Sequence, residues 1–69
     1  MDVKARIPGQ ISAVNVKQGD PVKARDILAV MEAMKMEQPI PAPVDGTVAQ
    51  VLVAPGDKVK SGQTLFAID

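Results

Sequence analysis

One lysine between two methionines, in the segment EAMKME at residues 32–37, is the clearest candidate for chemistry in this chain. A lysine amine can act as a nucleophile or as a point of covalent attachment. Methionines at strand spacing are ordinarily core fillers, and most single lysines are ordinarily solvated surface. The segment is therefore either an unremarkable strand or an amine displayed between two apolar side chains.

Conventional catalysis is hard to assemble from the remaining residues. The 69-residue chain has no cysteine and no histidine, which removes thiol nucleophiles, imidazole bases and the usual zinc ligands. Ser12 and Ser61 have no histidine base, and the eight acidic residues are scattered, mostly in turns. We expect neither a stand-alone enzyme nor a metal site.

Charge and hydropathy exclude two classes of partner. Eight basic residues balance eight acidic ones and Phe66 is the only aromatic residue, so we expect no nucleic-acid binding. The apolar run at residues 27–31 is too short to span a bilayer, and we expect no direct membrane insertion. The absence of cysteine suits the cytoplasm, where the protein could belong to a membrane-associated complex.

The elements that position the lysine come from an internal repeat. Residues 5–32 align with residues 42–69 without a gap. The identical pairs are Ala5 and Ala42, Gly9 and Gly46, Val14 and Val51, Val16 and Val53, Gly19 and Gly56, Asp20 and Asp57, Val22 and Val59, Lys23 and Lys60, and Leu28 and Leu65. Neither half can bury its own apolar face, so we expect two halves that share one core about a pseudo-twofold axis.

Each half has the pattern of short strands. Residues 14–17 alternate apolar and polar, which predicts a strand, and residues 51–53 are the equivalent segment. Residues 26–31 and 63–68 are mostly apolar and predict further strands. A helix over residues 26–36 is the alternative, because this segment is rich in helix formers. Its copy ends the chain with no room for a helix, which favours a strand.

Turn signals separate these strands. The Gly-Asp pairs at residues 19–20 and 56–57 are typical of turns, and Gly9 and Gly46 indicate bends where two backbones come close. The prolines of residues 38–44 predict an extended segment at or beyond a sheet edge. Short strands with regular turns predict an all-β sandwich or barrel.

Residues 33–41 join the two halves. If the strand that ends at Glu32 turns back at once, Met34 and Lys35 form a two-residue loop and Glu32 faces Glu37. Such loops prefer positive φ at both central residues, which costs a non-glycine residue about 1–2 kcal/mol. Broken local rules tend to fall at functional sites.

The segment Glu32-Ala33-Met34-Lys35-Met36 resembles the attachment motif of the biotinyl (biotin carboxyl carrier) domains. The resemblance covers nearly the whole chain, including the segments RIPGQI, VKQGDPV, APVDGTV and VAPGDKV. It implies a single biotinyl domain over residues 1–69, with repeat halves at about 5–32 and 42–69 and an attachment hairpin at about 33–37. The implied fold is a flattened antiparallel β-barrel of two four-stranded sheets with quasi-twofold symmetry.

The same resemblance implies a function. Biotin would be attached covalently to Lys35 by a biotin protein ligase, with Glu32, Ala33, Met34 and Met36 as the recognition motif. The domain would be a non-catalytic carrier, whose swinging arm moves a carboxyl group between a biotin carboxylase and a carboxyltransferase or decarboxylase component. Residues 10–18 match residues 47–55 without a gap, which leaves no room for the protruding thumb of many bacterial acetyl-CoA carboxylase carriers. This favours the simpler carriers of pyruvate carboxylases, transcarboxylases and decarboxylases.

Two alternatives remain. A lipoyl carrier has the same fold and a lysine at the same tip, but that lysine usually follows an acidic residue and precedes alanine, unlike Lys35 with Met34 and Met36. An unmodified structural barrel module is the second alternative, and it has no need of a lysine between methionines.

Overall fold

Eight short antiparallel strands form the fold, which the computed structural model describes over residues 1–69. The strands are β1 (Asp2–Lys4), β2 (Gly9–Val14), β3 (Pro21–Val22), β4 (Ile27–Ala33), β5 (Met36–Pro41), β6 (Gly46–Val51), β7 (Lys58–Val59) and β8 (Thr64–Ile68). The first sheet has the order β1-β8-β6-β3 and the second sheet the order β5-β4-β2-β7. The predicted all-β fold with two four-stranded sheets is confirmed, and β4 replaces the alternative helix. No helix of a length and apolarity that would cross a bilayer is present.

Each sheet is built from both halves of the chain. In the first sheet β8 and β6 lie between β1 and β3, and in the second sheet β4 and β2 lie between β5 and β7. A half on its own would lose both edge strands of its sheet as well as the facing apolar layer. The exchange therefore makes the two halves one folding unit with one core.

The quasi-twofold symmetry extends beyond the repeat that is visible in the sequence. Val3 of β1 pairs with Phe66 of β8, and Ile40 of β5 pairs with Ala29 of β4. The shift of 37 residues relates Val3 to Ile40 and Ala29 to Phe66, so the two pairs are equivalent. Residues 39–41 are thus the structural copy of β1. The sequence identities do not extend to this part of the chain. Only Val3 and Ile40 are buried there, and the exposed residues on either side of each differ between the two strands.

The core is apolar throughout and draws on both halves. Its buried residues are Val3, Ala5, Ile11, Val22, Leu28, Ala29, Met31, Ala33, Ile40, Ala42, Val48, Val53, Val59, Leu65, Phe66 and Ile68. Most of these positions are buried in both halves, and Phe66 in one half is equivalent to Ala29 in the other. At about 25 cal/mol per Å² of apolar surface, burial of these side chains is the main favourable term of folding.

Two glycines allow the backbones to approach closely, as expected. A Cβ on Gly9 would lie 2.6 Å from the carbonyl oxygen of Glu32, and a Cβ on Gly46 would collide with the carbonyl oxygen of Asp69. Only glycine fits where these strands begin. The approach at Gly9 sets the position of β4 just before the chain reaches Lys35.

The prediction of a strand at residues 14–17 was wrong, because β2 ends at Val14. Asn15 N–H still donates to the Leu28 carbonyl at 2.8 Å, and then the chain leaves the sheet. The alternation at residues 14–17 reflects a connection whose valines pack against the core. The Gly-Asp turn that follows is stabilised by Asp20, whose carboxylate accepts a hydrogen bond from Lys17 N–H at 3.0 Å.

Candidate functional site

A tight hairpin between β4 and β5 carries the lysine. Ala33 pairs with Met36, and Met34 and Lys35 are the two central residues of the turn. Their φ angles are 53° and 64°, the left-handed values that a type I′ turn requires at both positions. The two-residue loop and the register that it implies are confirmed, with Glu32 opposite Glu37.

The core determines this register. Met31 and Ala33 of β4 are buried, as is Ile40 of β5, so a slip of one residue would turn apolar side chains outward. Only Met34 and Lys35 are left to close the turn. Neither is a residue that favours left-handed backbone, and each costs about 1–2 kcal/mol in that conformation. The paired strands on either side hold the tip in place.

The two methionines of the tip are not part of the core. Met34 is 87% exposed and Met36 is 62% exposed, whereas Met31, three residues before Met34 and on β4, is 3% exposed. Lys35 is exposed as well, and none of the side-chain hydrogen bonds of the chain involves it. The amine is therefore free to enter another protein's site, with an apolar side chain on each side.

The residues predicted for recognition do not all lie on the surface. Glu32, Met34 and Met36 are exposed around Lys35, but the methyl group of Ala33 is buried in the core. Ala33 supports the hairpin as a small core residue that fits beneath it. Any direct contact with another protein falls to the other residues of the motif.

Two further residues, which sequence analysis did not single out, extend the exposed polar surface of the tip. Gln10 lies beside Glu32 on β2, and Lys58 lies beside Gln10 on β7. Together with Glu37 they form one row across the outer face of the second sheet. Their separation in sequence hides this row, and only the strand exchange brings Lys58 into it.

The lysine does not lie in a cavity. An open groove of about 760 Å³ runs between the edge strands β1 and β5, and Lys35 is not among its lining residues. No group of three or more Asp, Glu, His or Cys side chains is placed to hold a metal ion. The tip is convex, so any enzyme that acts on the amine must supply the concave site.

Fold and site together define a carrier-type barrel that displays one lysine on a strained hairpin. The family model described as "Biotin-requiring enzyme" (Biotin_lipoyl) matches residues 2–68. The chain belongs to this biotin/lipoyl family, whose members include the biotinyl domains that the motif resembles.

Named relatives agree with this assignment. Pyruvate carboxylase of Staphylococcus aureus is 43% identical over 67 residues, which cover 97% of this chain and 6% of that protein. The "biotinylated protein TB7.3 homolog" of Mycobacterium leprae is 39% identical over 67 residues, covering 97% of this chain and 94% of that protein. The chain thus spans a small part of one relative and nearly all of the other.

Solved structures share the fold. The urea carboxylase of Kluyveromyces lactis superimposes with a TM-score of 0.93 at 29% identity, over 100% of this chain and 6% of that one. The lipoyl domain of the 2-oxoglutarate dehydrogenase complex of Azotobacter vinelandii has a TM-score of 0.85 at 27% identity, over 100% of this chain and 95% of that one. The barrel alone therefore does not distinguish biotin from lipoate.

Proposed function

We propose that the protein is a biotin carboxyl carrier, in which biotin is joined to the ε-amino group of Lys35. The observation that carries the proposal is the type I′ turn, which holds an unpartnered lysine at a convex tip between two exposed methionines. A core lysine or a lysine in an ion pair would be unsuited to the task. The name of one relative, a biotinylated protein, supports the same cofactor.

The residues of the tip suit covalent attachment by a biotin protein ligase. The Lys35 nitrogen would form an amide with the activated carboxyl carbon of biotin, as the activating group leaves and the nitrogen gives up a proton. The positive charge of the side chain is lost in this step, as it is in lysine acetylation. Met34 and Met36 would then flank a largely neutral arm, and their flexible thioethers can adapt to several partner surfaces.

The domain would act as a carrier and not as a catalyst. Biotin, once attached, supplies a ring nitrogen that can accept and release a carboxyl group. The contribution of the barrel is to hold the arm on a rigid tip, which raises its effective concentration at each site that the geometry reaches. The partners would be a biotin carboxylase and a carboxyltransferase or decarboxylase component. The carboxylases among the relatives favour the first two.

A lipoyl carrier is the weaker candidate for the same tip. The sequence relatives named above are a pyruvate carboxylase and a biotinylated protein, and neither is named as a lipoyl protein. The methionines on both sides of Lys35 also differ from the flanking residues typical of lipoyl domains. These observations favour biotin without any appeal to the barrel itself.

The test is the intact mass of the purified chain after incubation with a biotin protein ligase, ATP and biotin. We expect the mass of one biotin to be added to the wild type and none to Lys35→Arg. Lys58→Arg, at an exposed lysine on the same sheet face, is the matched control and should load normally. Loading of Lys35→Arg, or loading of the wild type by a lipoyl ligase with lipoate alone, would overturn the proposal.

A further inference from the structure

The outer face of the second sheet carries an apolar strip that continues from the hairpin. Paired residues share a face of a sheet, and Val30 pairs with both Ala13 and Pro39, while Ile27 pairs with Pro41. These five residues, from here on the outer strip, lie on the side away from the core. Ile27 is 40% exposed, both prolines are exposed, and Ala13 and Val30 are half-buried.

The pseudo-twofold axis provides an internal control for this face. The equivalent positions on the first sheet, 37 residues away, are polar or smaller: Asp2, Lys4, Gln50, Thr64 and Ala67. Both faces have the same backbone geometry and the same pairing register. The fold therefore tolerates a polar outer face, and its own requirements do not explain the apolar residues of the outer strip.

Protection of the sheet edge explains only part of the strip. Pro39 and Pro41 lie on β5, an edge strand, where a missing N–H blocks pairing with another chain. Ile27 and Val30, however, lie on β4, which has a neighbour on each side. Apolar side chains on the solvent face of an inner strand gain nothing from edge protection and are typical of a contact surface.

We propose that the outer strip is the docking surface for the biotin protein ligase, an inference that rests on the proposed attachment of biotin to Lys35. The strip ends at Glu32 and Glu37, which lie side by side next to the tip. Two adjacent carboxylates at this end call for cationic groups on the docked protein. The complementary ligase surface is therefore an apolar patch with lysine or arginine side chains close to the active site.

The reach of the lysine distinguishes the ligase from other partners. A bare lysine has only a four-carbon stem, so an enzyme that forms a bond to its nitrogen must lie against the hairpin and the strands behind it. At about 3.4 Å per residue, Pro39 is on the order of 14 Å along β5 from Lys35, within the footprint of an ordinary protein interface. Enzymes that act on the biotin ring meet it at the end of a longer arm and need not touch the strip.

The experiment replaces the four residues of the outer strip on β4 and β5 by the residues at the equivalent positions of the opposite face, and leaves Ala13 unchanged. The variant Ile27→Thr, Val30→Ala, Pro39→Asp, Pro41→Lys keeps the net charge, since one acidic and one basic residue are added. The matched control places the strip residues of β4 on β8 through Thr64→Ile and Ala67→Val. For each protein, KM and kcat of loading by the ligase with biotin and ATP are measured, together with the thermal unfolding midpoint and the final loaded mass.

We expect the strip variant to raise the ligase KM about tenfold or more, as loss of a contact-surface patch does, with kcat little changed. Its final mass still gains one biotin, which separates failure of this inference from failure of the attachment itself. The β8 control keeps the wild-type KM. Pro41→Lys alone, six residues from Lys35, should raise KM by a smaller factor and serves if the fourfold variant does not fold. A KM within twofold of wild type in a folded strip variant overturns the inference.

Charge at the end of the strip gives a second readout. The ligase KM of the wild type should rise with salt, because the carboxylates of Glu32 and Glu37 meet cations. In the variant Glu32→Gln, Glu37→Gln the salt dependence should be largely lost. An unchanged salt dependence would contradict the proposed orientation of the ligase on the strip.

Discussion

Glu32 faces Glu37 directly across the hairpin that carries Lys35, and both side chains are exposed. Like charges in directly opposed positions destabilise a pair of strands. We expect Glu37→Gln to raise the free energy of unfolding by about 0.2–0.5 kcal/mol at low salt, and by less at high salt because the repulsion is screened. Chemical denaturation at two ionic strengths measures both values.

The control for this prediction is the same substitution in a Glu32→Gln background. With the opposing charge already removed, Glu37→Gln should bring no further gain. A gain that is equally large in both backgrounds would show that it has a source other than the pair.

The two exposed methionines should matter for loading and little for stability. We expect Met34→Gln to lower kcat/KM for the biotin protein ligase about tenfold, while the free energy of unfolding changes by less than about 0.5 kcal/mol, as is usual at exposed positions. Met31→Gln is the contrast, because Met31 is buried and a buried amide without a partner costs about 1–3 kcal/mol. Equal losses of stability in both variants would assign Met34 to the core.

The turn before β4 carries backbone strain, whereas the equivalent turn before β8 does not. Arg25 has a φ of 76°, and its equivalent, Gly62, has a φ of 85°. We expect Gly62→Arg to destabilise by about 1 kcal/mol, because a side chain in this region is disfavoured. Arg25→Gly should stabilise by less than that amount, since glycine also gains freedom in the unfolded chain. Thermal unfolding compares the two, and a stabilising Gly62→Arg would refute the account.

The close approach at Gly9 should be intolerant of even a methyl group. The added Cβ of Gly9→Ala would lie 2.6 Å from the Glu32 carbonyl oxygen, so β2 and β4 must separate. We expect a loss of about 1–3 kcal/mol, as for overpacking elsewhere. Asn15→Ala, at an exposed position just after the same strand, is the comparison and should cost less. Equal costs would mean that the strands adjust freely.

A second hairpin that accepts biotin should form at the opposite end of the molecule when the two chain ends are joined by the residues of the natural hairpin. This prediction follows from the twofold symmetry of the fold. The Met1 ammonium donates to the Ile68 carbonyl, so the two ends of the chain lie together where the symmetry places the counterpart of the hairpin. Asp69 is equivalent to Glu32, and Met1 to Gln38. Joining Asp69 to Met1 through Ala-Met-Lys-Met-Glu supplies the missing residues.

New chain ends for this variant can be opened between Pro43 and Val44, which make no backbone hydrogen bond. Intact mass after loading should then show two biotins. Replacing the added lysine by arginine should return the count to one. A folded permutant that takes up only one biotin would contradict the prediction, because a missing strip is expected to slow loading and not to prevent it.

Much of the fold follows from local pattern. The Gly-Asp turns and the two-residue loop at Met34 and Lys35 could be predicted because each depends on residues close together in the chain, and the repeat because the sequence can be aligned with itself. The strand at residues 14–17 was misplaced because alternation also occurs where a connection packs its valines on the core. The partial burial of the motif, with Ala33 turned inward, depends on which face of β4 meets the other sheet.

The sequence by itself determines the local chemistry of this protein, with an amine between two thioethers and no histidine or cysteine. It also shows a repeat whose two halves must share one core. What required the folded molecule is the pairing of strands that are distant in sequence, such as β2 with β7. That pairing depends on the shared burial of apolar side chains from both halves, which no single segment encodes. The pairing of β2 with β7 places Lys58 near the tip, and the burial of Met31, Ala33 and Ile40 in the shared core fixes the register in which Glu32 lies opposite Glu37.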